Sequence, residues 1–316
     1  MKKFAKIPAM LAAIVFAFSL AGCSSGDNDS SSDDVTINGS GSGGTSSRIP
    51  EDFVKIPAVS ITGTESWSPK SNVFVSGRVL EIASFYMSDH EVTRAEYKAV
   101  MESDPSTADA YDKNGDKLTS DDVKNNPVNC IKWYDAIVYC NKRSIKEKLT
   151  PCYVINNSTN PDDWGSVPDS KDEIWNAVTC DFNVNGYRLP TAAEWEWAAR
   201  GGENYTYAGS NKIDEVAWYT VNTINTGTRD VKTKNANGYG LYDMSGNISE
   251  WCWDWSDIID SSTPSTGPLS SASTFRCRLG GSWDDVDEYC LIGFLVGSKL
   301  FKCYDSYGFR VVRTAK

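Results

Sequence analysis

The segment that most constrains the fold lies within the last fifth of the chain and runs from Gly280 to Arg313. It opens with Gly-Gly-Ser-Trp, in which paired glycines permit unusual backbone angles and the tryptophan is large enough to require burial. It closes with residues 308–313, whose alternation predicts a half-buried strand. The middle, residues 284–306, keeps neither the two-residue period of a strand nor the 3.6-residue period of a helix. A fixed frame around an irregular middle predicts a displayed loop surface; an irregular core segment is the alternative.

The composition favours a compact, loop-rich globule over a helical bundle. The chain has 316 residues with 11 Trp, 15 Tyr and 24 Gly, which suits one large domain or two small ones with aromatic packing. Its formal net charge is -11, so we expect no nucleic-acid partner. His90 is the only histidine. Metal sites built from several histidines are therefore excluded, and a Ser-His-Asp triad would have to use His90.

The first 48 residues are not expected to belong to the fold. A basic start and the apolar residues 7–21 lead to a Leu-Ala-Gly-Cys motif that ends at Cys23. This pattern resembles a bacterial lipoprotein signal, which implies that residues 1–22 are removed and that Cys23 carries the lipid. An ordinary secretory signal is the alternative. Residues 23–48 are rich in Ser, Gly and Asp, which predicts a flexible tether. We therefore expect an outer-membrane lipoprotein at the cell surface, with a single domain over residues 49–316.

Three segments have the pattern of helices. Thr93 and Glu96 form a capping box at the start of one helix, and Thr191 and Glu194 form another. Between them, residues 133–143 read as an amphipathic helix. These three segments predict most of the helical content of the domain.

Short strands are expected around these helices. Residues 53–56, 73–75 and 79–87 are apolar runs broken by Gly, Pro and Ser, which predicts strands. Residues 155–185 form a long polar excursion, for which we expect surface loops with a hairpin.

Four ordered motifs carry a family resemblance. Residues 187–202, 238–251, 280–283 and 308–313 are similar to the motifs of the formylglycine-generating enzyme (sulfatase-modifying factor) family. The resemblance covers about residues 53–316. It implies an α+β domain with a C-type-lectin-like fold, made of two main helices, short antiparallel strands and much ordered loop.

The chemistry of that family is not expected here. Its enzymes oxidise a substrate cysteine to formylglycine with copper and oxygen, and they use two cysteines shortly after the Gly-Gly-Ser motif. The second matches Cys290, but the first falls on Asp285. A carboxylate is no soft ligand for Cu(I) and cannot form a redox pair. We therefore predict no catalytic residue and no required cofactor; a copper-dependent oxidase with an altered centre is the alternative.

The resemblance also implies a structural calcium ion. The family holds calcium with an Asn or Asp side chain, a Glu side chain and main-chain carbonyls. The matching positions are Asp243, Gly246, Ile248 and Glu250. Oxygen ligands from a turn suit Ca²⁺. The alternative is that Asp243 and Glu250 only cap the turn.

Residues 284–306, called the variable segment below, depart from the relatives in composition. The segment contains no Asn and no Arg. Most of its residues can be reached from an Asn codon by changing adenines alone, although Glu288, Lys299 and Lys302 cannot. This resembles the variable regions of proteins diversified by a diversity-generating retroelement, which implies a ligand-binding surface. The expected contact residues are Asp284, Asp285, Asp287, Tyr289, Ile292, Phe294, Val296, Gly297, Ser298, Phe301, Cys303, Tyr304, Asp305 and Ser306.

The expected ligand is a protein or another surface molecule, bound by a monomer. Aromatic side chains would supply rigid contact area, and the acidic ones would favour basic ligands. Trp283 and Phe309 are expected in the core. A drifted, non-catalytic relative without a diversified site is an alternative. Eight cysteines follow Cys23 in a chain expected to be exported, and the sequence leaves their pairing open.

Overall fold

The computed structural model describes residues 49–224, 226–256, 259–266 and 274–315. The predicted signal (1–22), tether (23–48) and lipidation site (Cys23) lie outside these ranges and stay predictions. Within these ranges, none of the helices has the length and apolar character needed to cross a membrane.

The helices of this region are mostly short. They are α1 (Arg94–Met101), α2 (Trp133–Lys146), α3 (Glu173–Asn176), α4 (Ala192–Arg200), α5 (Ile213–Val216) and α6 (Thr220–Thr223), with single 3₁₀ turns at Val123–Asn125, Pro161–Asp163 and Asp287–Cys290.

The strands are also short, and most have two to five residues. They are β1 (Phe53–Ile56), β2 (Val59–Thr62), β3 (Val79–Ile82), β4 (Phe85–Ser88), β5 (Ala110–Tyr111), β6 (Tyr153–Val154), β7 (Thr179–Cys180), β8 (Tyr187–Arg188), β9 (Ala217–Trp218), β10 (Thr228–Arg229), β11 (Ser245–Gly246), β12 (Ser249–Trp255), β13 (Phe275–Leu279), β14 (Val296–Lys299), β15 (Tyr307–Gly308) and β16 (Val312–Thr314).

Two four-stranded sheets organise the domain. One has the order β1-β4-β16-β8 with antiparallel neighbours, so the first and last strands of the described chain share it. The other has the order β14-β13-β12-β15; β14 and β13 pair antiparallel, and β15 pairs with β12 in parallel. The variable segment therefore supplies an edge strand of the second sheet. The remaining strands form two-stranded pairs, which are β2-β3, β5-β10, β6-β7 and β9-β11.

The helix starts follow their local sequence. Thr93 and Glu96 close a capping box on α1, and Thr191 and Glu194 close one on α4. Each box satisfies backbone N–H groups that the first helical turn leaves without partners. The 14-residue α2 begins at Trp133 as predicted and runs three residues beyond Arg143. The predicted α+β class, with few helices and short strands, is confirmed.

Aromatic packing joins α1 and α2 to the end of the chain. The rings of Tyr97 and Tyr139 stack with centroids 5.5 Å apart, and Phe309 meets Tyr139 edge-on at 5.2 Å. All three side chains are buried. This packing confirms Phe309 as a core residue and fixes the end of the frame that encloses the variable segment.

Two strand predictions are wrong. Residues 73–75 are not a strand; Val73 and Phe74 lie in an irregular stretch and are fully buried. The closing motif is not a half-buried strand either, since Gly308 to Arg313 are all buried and only its ends belong to β15 and β16. In both cases long-range packing, which local alternation does not reveal, covers the second face.

Candidate functional site

The variable segment begins at a turn that only glycine fits. Gly280 and Gly281 have φ of +94° and +68°. A Cβ on Gly281 would lie 2.8 Å from the Cys290 Sγ atom and 2.8 Å from the carbonyl oxygen of Tyr289. The Trp283 side chain that follows is buried, as predicted. The Gly-Gly-Ser-Trp opening is thus a rigid support against which the first turn of the segment packs.

The first half of the segment is an exposed acidic turn. Asp284, Asp287 and Glu288 are exposed, and Asp287–Cys290 forms a 3₁₀ turn. The Asp285 carboxylate accepts a hydrogen bond of 2.6 Å from the Ser282 hydroxyl, which orients the turn. Its backbone carbonyl accepts one of 3.0 Å from the Thr220 N–H. This half therefore presents several negative charges on a fixed backbone.

Aromatic rings stand beside the acidic turn. Tyr289 is 40% exposed, and its ring packs on that of Phe294 with centroids 4.8 Å apart. Tyr304 is 53% exposed and packs in the same way on Tyr307, also at 4.8 Å. Each exposed ring is thus held by a less exposed one, so little rotational entropy is lost when a ligand covers it.

The second half of the segment surrounds a shallow pocket at the sheet edge. The pocket has a volume of about 280 Å³ and is lined by Phe275, Gly297, Ser298, Lys299, Lys302, Tyr304 and Tyr307. Beneath it, the guanidinium of Arg278 lies 3.5 Å from the centre of the Tyr307 ring. Burial lowers the pKa of Arg278 to about 10. The pocket combines apolar walls with two lysines at its rim.

The structure exposes most of the predicted contact residues. Five are exposed: Asp284, Asp287, Tyr289, Tyr304 and Asp305. Seven are partly exposed: Asp285, Phe294, Val296, Gly297, Phe301, Cys303 and Ser306. Whether any of them binds a ligand stays a prediction.

Two of the predicted contact residues are largely buried. Ile292 is fully buried in the core cluster that also contains Trp195, so it cannot contact a ligand in this structure. Ser298 is 7% exposed, and its hydroxyl accepts a hydrogen bond of 2.9 Å from the Arg278 Nε atom. Ser298 still lines the shallow pocket, but its hydroxyl is already engaged by the scaffold.

Two further predicted contact residues, Gly297 and Cys303, have close neighbours in the scaffold that limit which side chains can replace them. A Cβ on Gly297 would lie 2.3 Å from the Ser256 hydroxyl and 2.9 Å from its Cβ atom, so a side chain there must displace Ser256. The Cys303 thiol lies in hydrogen-bonding contact with the thiol of Cys130. Cys303 is therefore committed, at least in part, to a neighbour in the scaffold.

The position of the family's copper centre lacks a second thiol. Cys290 is fully buried, and burial raises the pKa of its thiol far above the usual range. The thiolate that a copper ion requires is thus disfavoured. Asp285, in the position of the first cysteine, is engaged by Ser282. The residues present do not fit a copper ion.

One of the predicted calcium ligands already has a cationic partner. Glu250 is fully buried, and its carboxylate accepts three hydrogen bonds of 2.7–2.9 Å from Arg310 and one of 2.7 Å from Trp195. A calcium ion would therefore have to share this carboxylate with Arg310. Calcium binding at Asp243, Gly246, Ile248 and Glu250 stays a prediction.

Asp243 keeps one oxygen without a partner. Its Oδ2 atom accepts a hydrogen bond of 2.7 Å from the Lys232 N–H, but its Oδ1 atom is buried and accepts none from the described residues. Burial raises the pKa of Asp243 to about 6, and it raises that of the neighbouring Glu91 as well. Burial and the neighbouring carboxylates thus favour the protonated forms of Glu91 and Asp243, and Arg310 opposes this only in part.

Sequence reasoning missed part of the exposed surface. Val286 and Glu288 extend the acidic turn, and Lys299 and Lys302 stand beside the shallow pocket. Phe275, outside the segment, is 39% exposed next to them. The signal was available for the lysines, because they flank the apolar positions of an edge strand, where exposed charges are common.

Comparisons with known proteins identify the scaffold. Residues 47–315 match the sulfatase-modifying factor enzyme 1-like domain. The chain belongs to this family. Among solved structures, Treponema denticola variable protein 1 superposes with a TM-score of 0.72 at 34% identity, over 83% of this chain and 95% of that one. The family resemblance predicted from the motifs is confirmed, as is the likeness to a variable protein.

Two curated relatives illustrate the range of the family. Chaperone protein LppX of Paenibacillus barcinonensis is 39% identical over 230 residues, which are 66% of this chain and 72% of the relative. The formylglycine-generating enzyme of Bos taurus is 29% identical over 265 residues, which are 76% of this chain and 68% of the enzyme. The sulfatase-modifying factor domain of this chain is thus similar to both a chaperone and an enzyme.

Proposed function

We propose that this sulfatase-modifying factor domain is a non-catalytic binding scaffold, anchored by a lipid at the cell surface, that recognises proteins through its variable segment. The exposed members of residues 284–306 form the recognition surface. Its frame, from Gly280 to Trp283 and from Gly308 to Arg313, stays constant while the exposed side chains vary. The outer membrane is the proposed location, because residues 1–23 resemble a lipoprotein signal.

The observation that carries this proposal is the pair of residues, Asp285 and Cys290, at the positions where the family's enzymes have two cysteines. Cys290 is buried against Gly281, and the partner position holds Asp285, which is hydrogen-bonded to Ser282. Oxidation of a substrate cysteine needs a soft metal site or a redox-active pair, and a carboxylate beside one buried thiol provides neither. What remains of the site is a stable turn that holds exposed side chains.

The relatives support the same reading. One structural relative is named a variable protein, and one curated relative is named a chaperone, which is a class of proteins that bind other proteins. The formylglycine-generating enzymes are also relatives. The departure at Asp285 separates this chain from their chemistry.

The proposed ligand is a protein that carries a basic patch. Asp284, Asp287 and Asp305 are exposed on the segment, together with the rings of Tyr289 and Tyr304. Paired tyrosines and carboxylates on a fixed backbone are typical of protein-binding surfaces, where the rings supply contact area and the charges select the partner. The net charge of -11 adds to the attraction of basic partners.

A test of activity separates this proposal from the enzymatic alternative. The full chain is incubated with a cysteine-containing sulfatase peptide, copper and oxygen, and the peptide is analysed for an aldehyde. The Bos taurus formylglycine-generating enzyme serves as the positive control. We expect no aldehyde above the level of a protein-free blank; aldehyde formation by this chain would overturn the non-catalytic proposal.

A further inference from the structure

The single histidine, His90, lies in a group of acidic side chains outside the variable segment. His90 follows β4 and precedes α1, and its side chain is 11% exposed. One ligand atom each from Asp52, His90 and Glu96 lies within 4.8 Å of the others. Among the described residues, this is the only group of three such side chains that meets a metal-site distance criterion.

The two ring nitrogens of His90 have different surroundings. Nδ1 lies 2.5 Å from the Asp89 Oδ1 atom, which is a short, strong hydrogen bond. Nε2 lies 3.3 Å from the Glu96 Oε2 atom, which is long for a hydrogen bond between charged groups. Nδ1 therefore has the closer carboxylate partner, and Nε2 has the more distant one.

This arrangement has the form of a metal-binding histidine with its supporting carboxylate. A ligating histidine usually donates its other ring N–H to a carboxylate, which fixes the ring and raises its basicity. Asp89 fills that role, and Lys232 holds its second oxygen at 2.6 Å. Two ligands on a tetrahedral zinc ion are separated by about 3.3 Å, given metal–ligand bonds of about 2.0–2.1 Å. The spacing of Nε2 and Oε2 matches that separation.

The backbone fixes the third ligand beside the other two. The Asp89 N–H donates to the Asp52 carbonyl at 2.7 Å, which places Asp52 next to the histidine. Glu96 is oriented by its capping box, in which the Thr93 N–H and hydroxyl donate to Oε2 at 2.8 and 2.9 Å. The backbone of Asp52 and the side chain of Glu96 are therefore held beside the histidine.

The site opens to solvent and is negative on balance. It borders a cavity of about 500 Å³ that is also lined by Asn125, Asp230 and Lys232. Three cations face it: Lys232 binds Asp89, the Arg143 Nη1 atom lies 3.6 Å from Glu96 Oε1, and His90 has a pKa of about 9 because its hydrogen bonds to Asp89 and Glu96 outweigh burial. Four carboxylates, of Asp52, Asp89, Glu96 and Asp230, exceed these three charges. A divalent cation that replaces the His90 proton is therefore attracted.

We propose that Asp52, His90 and Glu96 bind one divalent transition-metal ion, with zinc as the probe, and that Asp89 positions the histidine. One nitrogen and two carboxylate oxygens form a ligand set that zinc accepts, and the cavity leaves the fourth position to water. The ion would link the residue before β1 to the start of α1. This site is independent of the proposed binding function, so either proposal can fail alone.

Zinc binding to the full chain, first stripped with EDTA, tests the proposal by calorimetry. We expect one zinc ion per chain in the micromolar range. His90→Gln, Glu96→Gln and Asp52→Asn should each weaken binding at least tenfold, and Asp89→Asn should weaken it by about tenfold through the histidine. Asp109→Asn, which removes another carboxylate paired with a lysine, should bind as the wild type does.

Two controls keep the result unambiguous. Cobalt in place of zinc should give a spectrum without a thiolate charge-transfer band, since a thiolate band would assign the metal to cysteines and overturn the proposal. Circular dichroism confirms that each variant is folded before it is titrated. Absence of zinc binding to the wild type, or unchanged binding in any folded variant of the three ligands, would also overturn it.

Discussion

At the scale of single residues, the domain holds buried charges in two ways. The Glu250 carboxylate is matched by Arg310, and both side chains are fully buried. Asp254 is less well matched: its Oδ2 atom accepts a hydrogen bond of 2.7 Å from the Ala192 N–H at the start of α4, while Oδ1 is buried and accepts none from the described residues. An ionised carboxylate in this position is costly, because burial without a full set of partners destabilises the charged form.

The pKa of Asp254 leads to a pH-dependent prediction. Burial raises it from 3.8 to about 6. A carboxyl whose folded pKa is raised stabilises the fold below about pH 4, and this contribution is lost as pH rises through about 6. The Asp254→Asn substitution removes this contribution to the pH dependence of stability. Between pH 4 and pH 7 the free energy of unfolding of the variant should therefore improve relative to the wild type, by on the order of 2 kcal/mol.

Urea unfolding at the two pH values measures this difference, and Asp112→Asn is the matched control. Hydrogen bonds from the Asp116 and Asn114 backbone lower the pKa of Asp112, so its ionised form is the stabilising one. Between pH 4 and pH 7 the free energy of unfolding of Asp112→Asn should therefore decrease relative to that of the wild type. An Asp254→Asn difference that stays constant from pH 4 to pH 7 would show that Asp254 titrates normally in the fold.

At the scale of elements, cysteines connect segments that are distant in sequence. The Cys130 N–H donates to the Tyr304 carbonyl at 3.1 Å, and the thiols of Cys130 and Cys303 are in contact. Cys152 directly precedes β6, and Cys180 in β7 pairs with Tyr153, the first residue of β6; the two thiols are also in contact. The first pair ties the end of the variable segment to the connection before α2.

These contacts predict which thiols oxidise. With oxidised glutathione, Cys130 and Cys303 should form one disulfide and Cys152 and Cys180 another. Each reaction passes two electrons and two protons to glutathione, which is released as two thiols. Cys290 should stay reduced, because it is buried and its thiolate is disfavoured. Alkylation followed by peptide mass spectrometry measures all three.

Cys303→Ser is the control for that experiment. It should retain the Cys152–Cys180 disulfide and leave Cys130 as a free thiol. A disulfide between any other two cysteines in the wild type, or an oxidised Cys290, would contradict the predicted pairing.

At the scale of the whole molecule, the sequence predicted what depends on near neighbours. The capping boxes at Thr93 and Thr191 were predictable because their donors and acceptors lie within three residues. The frame around the variable segment was predictable from Gly281 and Trp283. The burial of Ile292 and Ser298 was not predicted because their partners are more than about a dozen residues away, and no local pattern reveals such contacts.

The same limit applies to the proposed metal ligands. The Glu250 carboxylate is paired with Arg310, sixty residues later in the chain, and no local pattern reveals this pairing. Asp52 and Glu96 meet His90 only through the pairing of β1 with β4 and the start of α1. The order of the strands and helices decides which charged side chains meet. The family resemblance predicted the fold class but not these individual contacts.

We expect the exposed side chains of the variable segment to tolerate substitution without loss of the fold and to determine which protein is bound. Two libraries of the full chain test it most directly. One randomises the exposed Asp284, Asp287, Tyr289, Tyr304 and Asp305; the other randomises the buried Ile292, Ser298 and Leu300 of the same segment. Both are displayed and selected against a panel of basic and acidic proteins, and the melting temperature of unselected clones is measured.

Most clones of the first library should melt within a few degrees of the wild type, and different clones should bind different proteins of the panel. Clones of the second library should be largely unfolded, because they lose core packing and the Arg278 hydrogen bond. A first library that unfolds, or that folds and yields no binder, would contradict the claim that the variable segment is a recognition surface.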